Sequence, residues 1–295
     1  MDVVVPFRGG AADLEELRAR LARLEQRPGD SVTVVDNTPR RASIQGESDG
    51  PVRLIHAPEL ATPGFARNRG VARGEAEWLV FIDADVEAPA DLLDRYFAPP
   101  PAERTALVAG GVADESVPPD APPVARYAYI RELMSQENTY RFEEWSFPQT
   151  ANAACRRAAF EAVGGFREEI RAAEDADLSY RLRAAGWEIE RRETAAVVHR
   201  SRQTVRGLVA QKALHGAGAA WLASEYPGAF PARRRPGLIW WGVRTATKGL
   251  FAAARSRDRD RALWAVFEPL EHITFELGRS LPNERPLSRR RSRAL

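Results

Sequence analysis

The chain has 295 residues, of which 44% are hydrophobic and 28% are charged, a globular composition with room for one large domain and an appendage. A single cysteine, Cys155, excludes an internal disulfide bond. The first residues, MDVVVPF, have neither the basic segment nor the long apolar segment of a signal peptide, so we expect a cytoplasmic protein.

Charge is unevenly distributed along the chain. The formal net charge is +2, but residues 1–199 contain 24 Arg and Lys against 34 Asp and Glu, whereas residues 200–295 contain 19 against 7. An acidic body with a basic C-terminal third indicates an anionic partner for that third. The alternative is that the two oppositely charged parts pack on each other.

The first part of the chain alternates strand and helix patterns. Short apolar runs indicate strands, while leucines at helical spacing or an early proline indicate helices. In chain order, we predict strands at 3–7, 31–36, 51–56, 78–82 and 106–112, and helices at 11–27, 63–74 and 89–97. This alternation predicts an α/β sheet with parallel strands at its centre.

A second strand–helix unit begins at Ala151. It contains a strand ANAAC, a helix RRAAFEAV, a GGF turn, a helix DADLSYRLRAAG and two short strands, WEIERR and TAAVVH. After about residue 200 the pattern becomes helical and basic. We therefore divide the chain into a domain over 1–200, a basic helical extension over 201–284 and a disordered basic tail over 285–295.

Acidic residues and one histidine follow the predicted strands. Asp36 closes the second strand, Asp83 and Asp85 close the fourth, and His199 closes the last. In open α/β sheets, ligands bind beyond the carboxyl ends of the strands. A single Asp in such a place is usually a turn or cap residue, but four polar side chains at one edge indicate a ligand site.

The D-x-D sequence at residues 83–85 has two known uses. Two carboxylates can hold Mg²⁺ or Mn²⁺, which in turn holds a diphosphate. In phosphatases of the haloacid dehalogenase superfamily the first Asp is instead a nucleophile. That mechanism needs a lysine ahead of later acidic ligands, and here Lys212 follows the acidic pair Glu174–Asp175, which argues against it.

The order of the motifs resembles that of family 2 glycosyltransferases. The resemblance covers residues 1–200 and lies in VVVPF, VVDN, ARNRG, FIDAD, NAACRRAAFEAVGGF, AEDADLSYRLRAAG and VVH. It implies a GT-A fold, which is a nucleotide-binding, mixed and mostly parallel sheet flanked by helices, here with a helical C-terminal extension. It also implies that residues 1–112 bind a nucleotide sugar and that residues 113–200 form the acceptor side.

The resemblance implies a role for each matching residue at the donor site. The nucleobase would lie against the residues after the first strand and donate a hydrogen bond to Asp36, with uracil the expected base. The remaining donor residues would contact ribose, diphosphate or metal. The full implied donor set is Pro6, Phe7, Arg8, Asp36, Arg67, Asn68, Asp83, Ala84 and Asp85. The run Asp36–Asn37–Thr38–Pro39 lacks the second acid or serine of many relatives, which leaves the base identity open.

The resemblance also implies a metal and a catalytic base. Asp83, Asp85 and His199 would hold Mn²⁺ or Mg²⁺, and Asp175 would be the general base with Glu174 beside it. Asn152 would lie on the acceptor side. The implied reaction is a single displacement with inversion, in which a sugar moves from a nucleoside-diphosphate sugar, expected to be a UDP-sugar, to an acceptor hydroxyl of unknown identity.

Two other functions compete with this interpretation. A nucleotidyltransferase shares a related sheet, but usually has a glycine-rich basic loop after the first strand, where this chain has PFRGGAADLEE. A degenerate transferase domain that only binds ligands is less consistent with intact acids at 83, 85 and 175. We expect no nucleic-acid partner, because basic and aromatic residues are not interleaved in the body.

The longest apolar run, residues 237–255, is GLIWWGVRTATKGLFAAAR. Arg244 and Lys248 interrupt it, which makes it a poor membrane-spanning segment. On a helix, those two cations and Arg255 share one face, and a stripe of small residues lies opposite, namely Gly242, Ala246, Gly249 and Ala253. Three interpretations stay open: packing on a neighbouring helix through the small residues, a homodimer interface, or contact of residues 233–295 with an anionic membrane, on its inner face.

Overall fold

In a computed structural model of the chain, the structure describes residues 1–39, 50–232 and 235–285. The tail predicted over 285–295 therefore lies outside the described residues except for Arg285. Up to residue 114 the elements are β1 (Asp2–Phe7), α1 (Ala11–Leu21), β2 (Ser31–Asp36), β3 (Arg53–His56), α2 (Pro63–Val71), β4 (Trp78–Ile82), β5 (Val86–Glu87), α3 (Leu92–Arg95) and β6 (Thr105–Asp114).

The remaining elements are mostly helical. They are α4 (Pro123–Arg131), α5 (Glu137–Tyr140), a 3-10 turn (Glu143–Trp145), β7 (Asn152–Arg156), α6 (Arg157–Ala162), α7 (Glu174–Ala184), β8 (Glu188–His199), α8 (Val205–Glu225), α9 (Arg235–Ser256) and α10 (Arg259–Gly278). Within the described residues, no helix combines the length and the apolar character needed to cross a membrane.

The strands form one mixed sheet in the order β3-β2-β1-β4-β7-β6-β8-β5. The strands β3, β2, β1 and β4 are parallel to one another, and β7 runs antiparallel to both β4 and β6. The apolar strands β1, β2 and β4 are buried along almost their whole length, as expected for central strands covered on both faces. The predicted α/β sheet with a parallel centre is confirmed.

The structure differs from the sequence-based elements in several places. The two short strands predicted after α7 are one continuous strand, β8, in whose charged middle Arg191 and Glu193 are exposed and Arg192 is buried. Arg192 there pairs with Glu190 and donates to the carbonyl of Pro99, so charge does not interrupt the strand. Helix α1 ends at Leu21 instead of residue 27, and the two-residue β5 and the helices α4 and α5 were not predicted.

The chain forms two compact units, and the boundary crosses β6 and β8. The first unit contains Met1–Gly111, Phe147–Val197 and the described residues from Glu284, and the second contains Val112–Ser146 and Val198–Asn283. The division into functional domains at residues 112, 200 and 284 stays a prediction.

Helices α8, α9 and α10 pack closely within the second unit because glycines lie where they meet. An added Cβ at Gly216 of α8 would lie 1.9 Å from the carbonyl oxygen of Phe275, and one at Gly278 of α10 would lie 2.1 Å from that of Ala213. The predicted stripe of small residues on α9 also packs on α10, since a Cβ at Gly249 would lie 2.5 Å from that of Ala265. The packing interpretation of this stripe is thus correct.

Candidate active site

Arg67 is the centre of a charge cluster in the first unit. Helix α2 carries this side chain, which is buried to 3% exposure and donates to two carboxylates at once. Its Nη1 lies 2.7 Å from Oε1 of Glu174, and its Nη2 lies 2.7 Å from Oδ1 of Asp83. Burial alone would lower the pKa of Arg67, but the negative charges of Asp83 and Glu174 outweigh it, so that its pKa is raised. Arg67 therefore stays charged and fixes both acids.

The D-x-D sequence forms the turn that follows β4. Val86 N donates to Asp83 O, and the backbone of this turn is held from α1 by Arg20. The Arg20 guanidinium donates to the carbonyl oxygen of Ala84 at 2.7 Å and to that of Val86 at 3.3 Å. Asp83 and Asp85 are both partly exposed beyond the strand end. The contact from Arg20 could not be predicted from the sequence, because backbone acceptors leave no residue pattern.

Glu174 and Asp175 open helix α7. The residue before them, Ala173, has φ 71°, a left-handed conformation that costs a non-glycine residue about 1–2 kcal/mol. Such strain tends to be kept where it positions functional groups. Desolvation, together with the charge of Glu174, raises the pKa of Asp175 to about 7, although the N–H of Ala176 and the charge of Arg67 act against the shift.

The resulting cluster contains two kinds of carboxyl group. Asp83 is bound to a permanent cation, whereas Asp175 has a pKa near neutrality and is not bound by Arg67. A carboxyl group whose pKa lies near the working pH is suited to accept a proton. The predicted grouping of Arg67, Asp83, Glu174 and Asp175 is present in the structure, while their catalytic and binding roles stay predictions.

The ends of β1 and β2 meet at the predicted nucleobase site. Phe7 and Asp36 are paired in the parallel register, and Asn37 N donates to Phe7 O at 2.8 Å. Asp36 is 1% exposed, and its Oδ1 accepts from Thr38 N at 2.9 Å. Its Oδ2 is buried and has no hydrogen-bond partner among the described residues. Such an atom is costly to bury unpaired, so it suits an incoming N–H donor.

The other two residues predicted for this site differ in exposure. Pro6 is half-buried, and Arg8 is exposed just beyond β1. Arg8 and Arg171 both lie within electrostatic range of Arg285. Desolvation and the charges of these two arginines lower the pKa of Arg285. The backbone N–H of Arg285 donates to Glu169 O at 2.8 Å, which anchors the end of the described chain in the first unit.

Asn68 holds the GGF turn. Its Nδ2 donates to Phe166 O at 2.8 Å and to Glu168 Oε1 at 3.2 Å, and its Oδ1 accepts from Phe166 N at 3.0 Å. The turn needs glycine, because Gly165 has φ 69° and a Cβ there would lie 3.0 Å from Oδ1 of Asn68. The side chain is thus engaged by protein, and its predicted contact with ribose or diphosphate stays a prediction.

Asn152 lies in the core of the first unit with 0% exposure. Its Nδ2 donates to the carbonyls of Gly111 at 2.8 Å and Ala195 at 2.6 Å, and Tyr96 donates its hydroxyl hydrogen to Oδ1. These bonds tie three strands together, which is the arrangement of a structural residue. Its assignment to the acceptor side is a prediction that these contacts do not support.

His199 falls in the second unit, at the end of β8. It is 3% exposed, and its Nδ1 lies 3.8 Å from Oδ1 of Asp114. Asp114 also accepts from Ser201 Oγ at 2.8 Å and from Met134 N at 2.9 Å. The predicted metal-binding role of His199 stays untested by these contacts.

Asp83 and Asp85 are the carboxylates that could bind a divalent cation. Over residues 1–39, 50–232 and 235–285, no three His, Cys, Asp or Glu side chains are gathered as a metal site. Asp83 and Asp85 supply oxygen ligands only, and Mg²⁺ commonly takes one or two carboxylates and completes its shell with phosphate and water. These two carboxylates therefore fit such an ion when a diphosphate is present.

Comparisons with known proteins identify the family of the chain. The profile of Glycosyl transferase family 2 matches residues 2–164. The pre-mycofactocin glycosyltransferase of Mycobacterium tuberculosis (strain H37Rv) is 31% identical over 238 residues, which cover 76% of this chain and 48% of that protein. The chain therefore spans about half the length of the curated relatives that it matches.

Two solved structures share the fold. The mannosyltransferase PcManGT from Pyrobaculum calidifontis, in complex with GDP-Man and Mn²⁺, superposes with a TM-score of 0.63 at 17% identity, covering 95% of this chain and 86% of that one. GalNAc-T7 with UDP, GalNAc and Mn²⁺ superposes with a TM-score of 0.51 at 14% identity, covering 76% and 50%. The GT-A fold is confirmed, and with a family profile matched over more than half of its length, the chain belongs to glycosyl transferase family 2.

Proposed function

We propose that this chain is an inverting, metal-dependent glycosyltransferase that moves a sugar from a nucleoside-diphosphate sugar to an acceptor hydroxyl. The observation that carries the proposal is the cluster around Arg67. One buried guanidinium holds Asp83 and Glu174 at 2.7 Å each, while the neighbouring Asp175 has a pKa of about 7. Donor-side and base-side carboxyl groups thus lie in one cluster.

The donor nucleotide is proposed to bind beyond β1, β2 and β4. The buried, unpaired Oδ2 of Asp36 would accept an N–H of the base, and uracil offers such a donor. The arginines around Arg285 provide positive charge for the diphosphate. Asn37 and Thr38 stand where many relatives carry another acid or serine, so both uridine and guanosine diphosphates are to be assayed as donors.

Asp83 and Asp85 would hold Mn²⁺ or Mg²⁺. A divalent ion there would neutralise the charge that builds on the leaving diphosphate. Mn²⁺ accompanies the nucleotide ligands in both neighbouring structures, which supports this choice without deciding between the two metals. Arg67 keeps Asp83 oriented, and Arg20 keeps the turn in place.

Asp175 is proposed to take the proton of the acceptor hydroxyl. Its position at the start of α7 and the N–H of Ala176 orient the carboxylate. Its raised pKa makes it a better base than an ordinary Asp, whose pKa is about 3.9. As the hydroxyl oxygen attacks the anomeric carbon, the proton passes to Asp175 and the bond to the diphosphate breaks, which inverts the configuration.

The acceptor has to be found by assay. The 31% identical relative is named for pre-mycofactocin, so that compound is one acceptor to assay here. The predicted homodimer stays a prediction, as does a location on the inner face of a membrane.

The proposal is tested by the variant Asp175→Asn, which keeps the size of the side chain. We expect normal folding and donor binding, with transfer reduced at least about a hundredfold, the usual loss when a general base is removed. The matched control is Asp120→Asn, because Asp120 is exposed in a loop. Near wild-type transfer by Asp175→Asn would remove Asp175 as the base, and Glu174→Gln would then be the next variant.

A further inference from the structure

Helix α9 exposes a broad apolar face. The side chains of Ile239, Trp240, Val243, Leu250 and Phe251 are 54%, 68%, 54%, 42% and 74% exposed, respectively. With 100° between successive residues, these five fall within an arc of about 120°. Large apolar side chains gathered on one exposed surface usually mark an interaction site, whereas scattered ones do not. We define these five residues as the α9 apolar face.

The opposite side of α9 is already occupied by α10. A Cβ on Gly242 would lie 3.0 Å from Cδ1 of Ile273, and one on Gly249 would lie 2.5 Å from Cβ of Ala265. Ala253 on the same side is 3% exposed. The α9 apolar face therefore points away from the helix that packs on α9, and the packing of the second unit does not explain it.

Positive charge borders the α9 apolar face. Arg244, Lys248 and Arg255 are exposed and fall in the next arc of about 40° around the helix. None of the three has an ion-pair partner within the part of the chain that the structure describes. The sequence of α9, Arg235–Ser256, contains no Asp or Glu. The exposed side of α9 is thus apolar and aromatic with a purely cationic edge.

We propose that the α9 apolar face docks on the surface of an anionic lipid bilayer. Helices that lie in a membrane interface combine Trp, Phe and Leu on one side with Lys and Arg beside them, because the aromatic groups enter the interface while the cations meet the headgroup phosphates. A second copy of this chain is a poorer partner. Two such helices that meet on this side would bring only like charges together.

The test is sedimentation of the full-length protein with lipid vesicles of two compositions. One contains phosphatidylcholine alone, and the other contains phosphatidylcholine and phosphatidylglycerol. We expect binding to the anionic vesicles to exceed binding to the neutral ones by about tenfold or more and to fall as salt screens the cations. Equal binding to both vesicles, or no binding to the anionic ones, would overturn the proposal.

Variants separate the apolar from the charged contribution. Trp240→Ser/Phe251→Ser should weaken partitioning about tenfold or more, whereas Val205→Ser, at a residue 48% exposed on α8, should leave it unchanged. Arg244→Gln/Lys248→Gln should lose about fivefold per cation, and only on anionic vesicles. Arg53→Gln/Arg73→Gln removes two exposed cations of the first unit and should have no effect. Wild-type binding by both α9 variants would contradict the assignment.

Two further measurements keep the test decisive. If the serine variant fails to fold, which its melting temperature would show, a second measurement applies. Brominated lipid should quench the tryptophan fluorescence of the wild-type protein more than that of Trp240→Phe. Equal quenching of the two proteins would overturn the proposal. Sedimentation velocity without lipid tests whether a second copy of this chain binds the α9 apolar face instead. A dimer that Trp240→Ser/Phe251→Ser dissociates would assign this face to self-association instead of lipid.

Discussion

Arg67 shows how one buried side chain can hold acids from distant parts of the sequence together. A guanidinium with two acidic partners neutralises only part of a cluster that also contains Asp175. Removing such a buried cation would leave its carboxylates uncompensated, which typically costs about 3–5 kcal/mol. Arg67 thus supports both the stability of the first unit and the arrangement of its acids.

The raised pKa of Asp175 predicts a dependence of stability on pH. Its pKa is about 7 in the folded protein against a reference of 3.8, so between about pH 4 and pH 7 the folded state holds a proton that the unfolded state has released. Stability from this group is therefore lost as pH rises through that range. Asp175→Asn removes the effect, so the variant should gain stability relative to wild type at pH 8, on the order of 4 kcal/mol, because a pKa difference of about 3 corresponds to about 1.4 kcal/mol per unit.

The measurement is the melting temperature at pH 5 and pH 8 in a chelator without nucleotide. The difference between Asp175→Asn and wild type should be larger at pH 8. Asp120→Asn, which changes an exposed loop residue, should show the same difference at both pH values. A constant difference for Asp175→Asn would mean that the carboxyl group is not protonated in the folded protein near neutrality.

Sequence reasoning identified the acids of this cluster but not how they are joined. Motif order brought Arg67, Asp83, Glu174 and Asp175 into one predicted site. The contact between Arg67 and Glu174 joins residues 107 positions apart, which no local periodicity encodes. Asn68 and Asn152 were predicted from motif position, whereas their hydrogen bonds are with the protein's own backbone and side chains. Such contacts depend on tertiary structure, so a residue type cannot reveal them.

At the scale of helices and strands, close packing of α8 on α10 gives a clear prediction. Gly216→Ala would place a methyl group 1.9 Å from a backbone oxygen, so the helices must move apart. Overpacking of this kind typically costs about 1–3 kcal/mol. Gly237→Ala on α9 is the control, because no atom of the described residues lies within 4 Å of an added Cβ there. Alanine at that position should be neutral or stabilising through its helix propensity.

Thermal unfolding of both variants measures the contrast. Gly216→Ala should melt below wild type, and Gly237→Ala at or above it. If the two variants melt alike, α8 and α10 do not approach as closely as the structure has it.

The elements that sequence could predict are those with a strong local pattern. β1, β2, β4 and β7 are short apolar runs, and all four are confirmed. The elements that were missed or divided lack such a pattern. β5 has only two residues, and the charged middle of β8 contains exposed residues as well as Arg192, which is buried and paired with Glu190. The end of α1 was also predicted too late in the chain, because Leu24 fits the helical spacing and is buried but lies beyond the last helical residue, Leu21.

At the scale of the whole molecule, the chain joins an α/β unit to a largely helical one. The α/β unit carries the sheet and the Arg67 cluster, and the helical unit carries α9 and its exposed apolar face. Motif reasoning identified the first, because its residues follow a family order. The second has no such motif, so only the exposure of individual side chains distinguishes its packed face from its free face.

The central claim is that a donor diphosphate binds at the carboxyl ends of β1, β2 and β4 through a metal held by Asp83 and Asp85. Calorimetry of nucleotide binding tests this claim most directly. UDP and GDP are titrated into the full-length protein with and without Mn²⁺. We expect one of them to bind only with the metal, to lose that binding in Asp85→Asn and to keep it in Asp175→Asn. Unchanged Mn²⁺-dependent binding in Asp85→Asn, or no binding of either nucleotide to the wild type, would contradict it.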